Sequence, residues 1–231
     1  MDNGFKLKKI AEIKCDFKTK FGIPRQSGLC SSLKAMVVFE PEYRVAEAFR
    51  DLDGFSHIWL IWQFSEAVLE EWSPTVRPPR LGGNKRTGVF ATRSPFRPNP
   101  LGLSCVKLEG IEFTDEFGPV LHISGADLLD NTPIYDIKPY IPYADCKTDA
   151  SGGYTDTVDK KTIEVNIPAG IKAEFNADFI DCITEIIGQD PRPAYQSDPE
   201  RVYKMEYGGF LISFAINEDK ATVLDISKEK K

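Results

Sequence analysis

Two arginines and an asparagine lie on a proline-rich segment, FATRSPFRPNPLG, at residues 90–102. A guanidinium group forms bidentate hydrogen bonds to phosphate or carboxylate, so Arg93 and Arg97 are candidates for binding an anion. The side-chain amide of Asn99 suits a base edge. Three prolines restrict the backbone and lower the entropic cost of holding these donors in place. The segment is therefore predicted to be a binding loop, with a surface turn as the alternative.

The proline-rich segment belongs to a longer cationic stretch. No Asp or Glu occurs between residues 72 and 108, which contain seven basic residues: Arg77, Arg80, Lys85, Arg86, Arg93, Arg97 and Lys107. The whole chain has a net charge of −6, so the rest of it carries −13. A cationic stretch on an acidic body suits a polyanion such as nucleic acid. A solvated basic loop without a ligand is the alternative.

Three further segments combine turn residues with polar side chains: GIPRQSG at 22–28, GADLLDNTPIYDIKPYIPYAD at 125–145 and DPRPAY at 190–195. We expect them to form one binding surface with the proline-rich segment, although loops that protect strand edges have similar compositions. Asp127 and Asp136 stand among aromatic and proline residues of the second segment, near Lys138, where a partly desolvated carboxylate would suit a general base if a reaction needs one. Turn capping or orientation of an arginine is the alternative for both.

Several kinds of site find no support. Five scattered cysteines without a CxxC pair and only two histidines indicate neither a disulfide framework nor a metal site. Neither a dinucleotide-binding glycine motif nor a P-loop is present. No stretch approaches the roughly 20 apolar residues of a membrane span, and residues 1–14 do not resemble a signal peptide. We therefore expect a cytoplasmic protein without membrane contact.

The elements that must position these residues are mainly strands. Short apolar runs predict strands at residues 5–14, 34–39, 56–64, 88–92, 102–113 and 119–124. One helix is predicted over 41–52. Many short strands with few helices favour a β-barrel core.

The polar, glycine-rich stretch at 148–156 is the predicted linker. It divides the chain into a barrel domain, 1–156, and a small C-terminal α+β domain, 157–231. In the latter, an apolar stripe between residues 175 and 187 predicts a helix that ends at Gly188.

The loop segments, in this order, resemble those of the TrmO family, also called TsaA-like or YaeB-like proteins. The resemblance rests on FGIPRQSG, VRPPRLGGNKRTGVFATRSPFRPNPLGLSCVKLEGI, DLLDNTPIYDIKPYIPYAD and DPRPAY, and it covers nearly the whole chain. It implies a homodimeric, β-barrel tRNA methyltransferase that uses S-adenosylmethionine. The implied reaction methylates N6 of N6-threonylcarbamoyladenosine at position 37, beside the anticodon.

The resemblance also implies which residues bind. The implied cofactor residues are Arg25, Gln26, Ser27, Ser65, Glu66, Arg93, Leu103, Ser124, Gly125, Ala126 and Asp127. Ser65 and Glu66 are expected to act through their backbone. The expected substrate contacts, on tRNA phosphates or on the threonylcarbamoyl carboxylate, are Arg77, Arg80, Arg86, Arg97, Asn99, Arg192 and Tyr195.

For this reaction Asp136 is the first candidate general base and Asp127 the second. The carbamoyl group withdraws electrons from N6, which weakens the nucleophile and makes its proton easier to remove. A function from another class stays open, namely a non-catalytic RNA-binding or adaptor protein that retains the fold. The sequence does not indicate which tRNAs are substrates.

Overall fold

The structure is a computed structural model that describes residues 6–67, 71–78, 85–157, 162–193, 196 and 198–228. Two of the predicted substrate contacts, Arg80 and Tyr195, lie outside the described residues.

Six antiparallel strands close a barrel. The first eight strands of the chain are β1 (Ala11–Lys14), β2 (Lys34–Phe39), β3 (His57–Gln63), β4 (Thr75–Val76), β5 (Thr87–Gly88), β6 (Leu101–Thr114), β7 (Gly118–Ser124) and β8 (Pro133–Pro139). The order around the barrel is β1-β2-β7-β6-β3-β8, with β8 pairing back to β1. The short strands β4 and β5 pair only with each other. The predicted mainly β fold with a barrel core is confirmed.

The apolar sequence of strand β3, HIWLIWQ, reflects packing on both of its faces. Ile58, Leu60 and Trp62 point into the barrel and are buried, in alternation with half-buried outer residues. On the outer face, Trp59 is covered by a short helix, α1 (Pro142–Asp145), and its indole Nε1 donates to Asp145 Oδ2 at 3.1 Å. Both faces of the strand are therefore packed, which accounts for the absence of clear polar alternation.

The barrel is closed by β8, a strand that the sequence analysis left among the loops. It pairs with β3 on one side and with β1 on the other. Its two prolines, Pro133 and Pro139, stand at the strand ends, where the missing N–H costs few ladder hydrogen bonds. A bulge between Ile61 and Trp62 of β3 absorbs the extra residue of β8.

The helix predicted over residues 41–52 is wrong. The segment forms three separate 3₁₀ turns, Pro41–Tyr43, Ala46–Phe49 and Leu52–Gly54. Val45 has an extended backbone and Asp51 a left-handed one (φ 66°), so an α-helix cannot continue through either residue.

The described residues of the C-terminal region form a four-stranded sheet and two helices: β9 (Glu164–Asn166), α2 (Ala169–Lys172), α3 (Ala177–Gly188), β10 (Val202–Tyr207), β11 (Phe210–Asn217) and β12 (Lys220–Lys228). The sheet order is β10-β11-β12-β9, in which β12 and β9 are parallel. Asn176 caps α3 by accepting the Phe179 N–H at 2.8 Å, and the helix ends at Gly188 as predicted. The domain boundary between residues 156 and 157 stays a prediction.

Two hydrophobic clusters stabilise the fold. One fills the barrel, and the other joins α3 to the C-terminal sheet. The second cluster also includes Phe17, Cys30 and Leu33 from the segment between β1 and β2. That segment therefore packs against the C-terminal region. Among the described residues, no helix is both long and apolar enough to cross a membrane.

Candidate cofactor and RNA site

The loop at residues 22–28 lies against the part of β6 that pairs with β3 on one side but has no strand partner on the other, β7 side. Strand β6 begins at Leu101, but its pairing with β7 begins only at Lys107. Ser27 occupies this gap, because its Oγ accepts the Cys105 backbone N–H at 3.2 Å. Where β7 ends, the Gly28 N–H donates to the Gly125 carbonyl at 2.8 Å. The geometry thus brings residues 22–28 and 124–127 together, which belong to two of the segments predicted to form one binding surface.

This contact depends on glycine at position 125. Gly125 has a left-handed backbone (φ 76°), and a Cβ there would lie 3.3 Å from the Cα of Gly28. A larger residue would be strained and would push the two segments apart. Gly125 and its neighbours Ser124 and Ala126 are buried, and the Gly125 N–H donates to the Leu33 carbonyl at 3.0 Å.

Asp127 ends a chain of hydrogen bonds that starts inside the barrel. The Trp62 indole Nε1 donates to Ser104 Oγ at 2.9 Å, and Ser104 Oγ donates to Asp127 Oδ1 at 2.5 Å. Gly102 makes room for the indole, because a Cβ there would lie 2.2 Å from a Trp62 ring carbon. Burial raises the pKa of Asp127, although the Ser104 hydroxyl and the positive charge of Arg93 act in the opposite direction.

Arg93 connects the proline-rich loop to residues 22–28. Its Nη1 donates to Gln26 Oε1, and its charge acts on Asp127. Gln26, Ser27, Arg93 and Asp127 therefore form one polar cluster, which we call the mouth cluster, near the start of β6. Ser104 belongs to it as well and was missed by the sequence analysis. A serine at an inward position of β6 is a signal for it, because a buried hydroxyl needs a partner.

Leu103, Ser65 and Glu66 lie at the edge of this cluster. Leu103 points outward from β6 and is 54% exposed. Ser65 and Glu66 are exposed just after β3, whose last residue, Gln63, pairs with Leu101. The Glu66 carboxylate pairs with Lys20 at 3.0 Å, and Lys20 also donates to the Glu66 carbonyl. Cofactor contacts by these three residues stay predictions.

The two candidate bases occupy different places. Asp136 lies on the outer face of β8, with its side chain 47% exposed and paired with Lys138 at 3.0 Å. In the strand register it pairs with Ile61, which pairs in turn with Leu103. Asp136 and Leu103 thus share one cross-strand row, whereas Asp127 reaches inward to Ser104.

The cationic stretch presents its charges on the surface. Arg77, Arg86 and Asn99 are exposed, and Arg97 is half-buried with Nη1 donating to the Thr92 carbonyl at 3.1 Å. Arg86 Nε donates to Thr75 Oγ1 at 2.8 Å, which leaves the rest of its guanidinium available. Within the described residues, no acidic side chain pairs with Arg77, Arg86 or Arg97.

Arg192 is held by acceptors of the C-terminal region. Its Nε and Nη2 each lie 2.8 Å from a carboxylate oxygen of Asp190, and Nη2 also donates to the Glu218 carbonyl at 3.1 Å. Its side chain is only 14% exposed. A direct contact of Arg192 with tRNA stays a prediction. Arg25 points toward the same turn and donates through Nη2 to the Asp190 and Arg192 carbonyls, at 3.1 Å each.

The described residues contain no group of three His, Cys, Asp or Glu side chains that could hold a metal ion. All five cysteines are free thiols. Burial raises the pKa of Cys15 to about 11 and that of Cys30 to about 12, so these two are poor nucleophiles at neutral pH.

Comparison with known proteins finds similar families and relatives over most of the chain. A family model for the tRNA-methyltransferase O N-terminal domain matches residues 12–146, and one for the TrmO C-terminal domain matches residues 160–229. The tRNA (adenine(37)-N6)-methyltransferase of Escherichia coli (strain K12) is 39% identical over 204 residues, which are 86% of this chain and 86% of that protein. The protein of the same name from Eikenella corrodens is 49% identical over 174 residues, 74% of this chain and 96% of that protein.

A solved structure has a similar fold over nearly the whole chain. A crystal structure of TrmO from Pseudomonas aeruginosa superimposes with a TM-score of 0.78 and 31% identity, covering 98% of each chain.

Proposed function

This chain belongs to the TrmO family, and we propose that it is an S-adenosylmethionine-dependent methyltransferase that methylates N6 of adenine 37 in tRNA. We further propose that the substrate nucleoside is N6-threonylcarbamoyladenosine. The observation that carries the proposal is the mouth cluster, in which segments far apart in sequence meet at one end of the barrel. The similarity to proteins named tRNA (adenine(37)-N6)-methyltransferase supports the reaction class.

The residues at the mouth suit S-adenosylmethionine. The cofactor has a carboxylate, an ammonium group, ribose hydroxyls and a flat adenine ring. The Arg93 guanidinium suits the carboxylate, and the backbone groups of residues 124–127 suit hydroxyl or ring nitrogen atoms. Exposed Leu103 offers an apolar surface for a ring. When bound, the cofactor supplies an electrophilic methyl group on a sulfonium.

The protein's main task is to hold the acceptor nitrogen in line with that methyl group, because displacement depends on the alignment of the reacting atoms. The hydrogen bonds between Gln26 and Arg93, and between Gly28 and Gly125, fix loops that otherwise lack regular structure. The Ser104 hydroxyl fixes the Asp127 carboxylate. The site is thus organised before the substrate arrives.

We propose Asp136 as the group that accepts the N6 proton. Its carboxylate is accessible from the outer face of β8, and it shares a cross-strand row with Leu103. Asp127 is the second candidate, since its raised pKa makes its carboxylate a better proton acceptor, whereas its bond to Ser104 favours a positioning role.

The cationic stretch would bind the tRNA. Exposed Arg77 and Arg86, together with Arg97, would contact phosphates, and one arginine would pair with the threonylcarbamoyl carboxylate. Such a pair would distinguish modified from unmodified adenosine, because only the modified nucleoside carries the carboxylate. Because the proposed substrate is tRNA, we also propose that the reaction takes place in the cytoplasm.

We propose that the active form is a homodimer. Large apolar side chains near the cationic stretch are exposed in one chain, among them Phe90 at 74% and Trp72 at 50%. Their rings lie 6.1 Å apart and would be covered by a second copy. Light scattering of the purified protein tests this proposal, and a monomeric mass at micromolar concentration would contradict it.

A non-catalytic RNA-binding adaptor is not favoured, because similar proteins across most of the chain are named as methyltransferases. Calorimetric titration with S-adenosylmethionine separates the two functions. The methyltransferase is expected to bind it with measurable heat and a raised melting temperature. Absence of both would favour the adaptor.

A further inference from the structure

Residues 21–32, between β1 and β2, carry Gln26 and Ser27, and we call this segment the cofactor loop. The cofactor loop is held from two directions. Its barrel side contacts Arg93, Cys105 and Gly125, as described above. Its other side contacts α3 and the turn that follows this helix, both in the C-terminal region. The second set of contacts has no part in the function proposed so far.

Glu185 of α3 makes the strongest of these contacts. One carboxylate oxygen, Oε2, accepts the Ser32 backbone N–H at 3.0 Å and the Ser32 hydroxyl at 2.8 Å. The other oxygen, Oε1, accepts the Ser31 hydroxyl at 3.3 Å. Hydrogen bonds to an ionised carboxylate are stronger than neutral ones. A single side chain of the C-terminal region therefore satisfies three donors at the end of the loop.

The turn after α3 holds the front of the same loop. The Arg25 guanidinium donates to the carbonyls of Asp190 and Arg192. Asp190 has a left-handed backbone (φ 48°), and its carboxylate is fixed by two hydrogen bonds from the Arg192 guanidinium. The ion pair between Asp190 and Arg192 therefore keeps both carbonyls in place for Arg25.

Packing adds to these polar contacts. Gly22 is buried against Met205 of β10, and a Cβ at position 22 would lie 2.3 Å from the Met205 sulfur. Phe21 stacks on Tyr203 and Phe214, with ring centroids 6.3 and 6.4 Å apart. The loop is thus attached to the C-terminal sheet at its start and to α3 at its end, and only its tip reaches the mouth cluster.

We propose that the C-terminal region positions the cofactor loop, and that Glu185 is a positioning residue for S-adenosylmethionine binding. This inference rests on the proposed function. Without Glu185, the Ser32 N–H and hydroxyl lose their acceptor, and residues 25–28 lose one of their two anchors. Gln26 and Ser27 would then sample positions away from Arg93 and Cys105. The cofactor would have to order the loop on binding, which lowers its affinity.

The test compares Glu185→Ala with Asp181→Ala, an exposed carboxylate on the same helix. Dissociation constants for S-adenosylmethionine and, separately, for tRNA are measured by calorimetry on the full-length protein. Glu185→Ala is expected to weaken cofactor binding by about 5- to 20-fold. Its tRNA affinity and the cofactor affinity of Asp181→Ala are expected to stay within about twofold of wild type.

Glu185→Gln keeps one acceptor oxygen for Ser32 and is expected to be intermediate, so it also covers the case in which the alanine variant folds poorly. Ser32→Ala added to Glu185→Ala is expected to have little further effect, because the two residues act through one contact.

The inference would be overturned if wild type and Glu185→Ala bound S-adenosylmethionine equally well, or if Glu185→Ala lost as much affinity for tRNA as for S-adenosylmethionine. Either result would leave the proposed function standing. Failure of the wild-type protein to bind S-adenosylmethionine would overturn the proposed function and this inference with it.

Discussion

Ser104 and Asp127 come from different parts of the chain and are joined by a 2.5 Å hydrogen bond from the Ser104 hydroxyl to Asp127 Oδ1. The bond links an inward residue of β6 to the turn after β7. Because Ser104 also accepts from the buried Trp62 indole, the rigid barrel interior fixes a carboxylate at its mouth.

Replacing the Asp127 carboxylate should raise the stability of the folded protein and lower its methyl-transfer activity. Ionisation of Asp127 is harder in the folded protein than in the unfolded chain, since burial raises its pKa. The contribution of Asp127 to stability therefore falls as the pH rises from the pKa of its carboxyl in the unfolded chain through its higher pKa in the folded protein. Asp127→Asn keeps an acceptor for Ser104 and should raise the melting temperature at pH 7 by roughly 1–3 °C, while methyl transfer falls.

Thermal melts between pH 3 and pH 8 check this prediction, with Asp149→Asn, an exposed aspartate, as control. The difference between Asp127→Asn and wild type should shrink toward low pH. A variant less stable than wild type at pH 7 would contradict the account of Asp127.

The proposed base predicts a purely kinetic effect. Asp136→Asn should lower kcat by about 10²- to 10⁴-fold, because it removes the proton acceptor. Its affinity for S-adenosylmethionine should stay near that of wild type, since the Asp136 carboxylate pairs with Lys138 and not with a residue of the mouth cluster. Single-turnover rates and calorimetry measure both quantities. A near-normal rate would exclude Asp136 as the base.

The cationic stretch predicts a salt-dependent effect. Arg97→Ala should weaken tRNA binding and reduce the slope of log K against log salt by about one, as expected for one lost phosphate contact. Arg50→Ala, which removes a charge from an exposed site outside this stretch, serves as control and should leave the slope unchanged. If affinity and slope both match wild type, Arg97 has a structural role only, through its bond to the Thr92 carbonyl.

The contribution of Glu109 to stability should change with pH in the opposite direction to that of Asp127. Hydrogen bonds from Lys34, Ser124 and Lys107 lower its pKa to about 2 from an ordinary value of 4.5. Its contribution is therefore complete above pH 4.5 and is lost as pH falls toward 2. Glu109→Gln should cost less than about 1 kcal/mol at pH 7, because solvent screens this surface cluster.

Urea unfolding at pH 7 and at pH 2.5 measures the effect of Glu109→Gln, and Glu47→Gln at an exposed site is the control. The cost at pH 7 should be largely gone at pH 2.5. A cost that is the same at both pH values would show that the charge of Glu109 does not stabilise the fold.

Regular alternation made much of the fold predictable. Strands β2, β6 and β7 follow apolar periodicity within one residue of the predicted bounds, and α3 follows its apolar stripe. Strand β8 was missed because its prolines and charged residues look like a loop, and only its pairing with β1 and β3 makes it a strand. The helix prediction over 41–52 failed in the opposite way, because good helix formers there are interrupted by Val45 and Asp51.

The candidate site was predictable as a set of segments but not as a set of contacts. Stiff loops rich in polar side chains indicated the segments that carry Gln26, Arg93 and Asp127, and the family resemblance assigned these residues to the cofactor site. Nothing local in the sequence indicates that Ser104 would reach Asp127, because this contact depends on how β6 and β7 pair. Likewise, the contacts from Glu185 and Asp190 to the cofactor loop arise only from the packing of the C-terminal region.

The most direct measurement is mass spectrometry of nucleosides from tRNA incubated with the purified protein and S-adenosylmethionine. Two tRNA preparations are compared, one with the threonylcarbamoyl group on adenosine 37 and one without it. The account predicts a mass gain of one methyl group on the threonylcarbamoyl nucleoside and no change in the unmodified tRNA. Modified tRNA that gains no methyl group would contradict the proposed reaction.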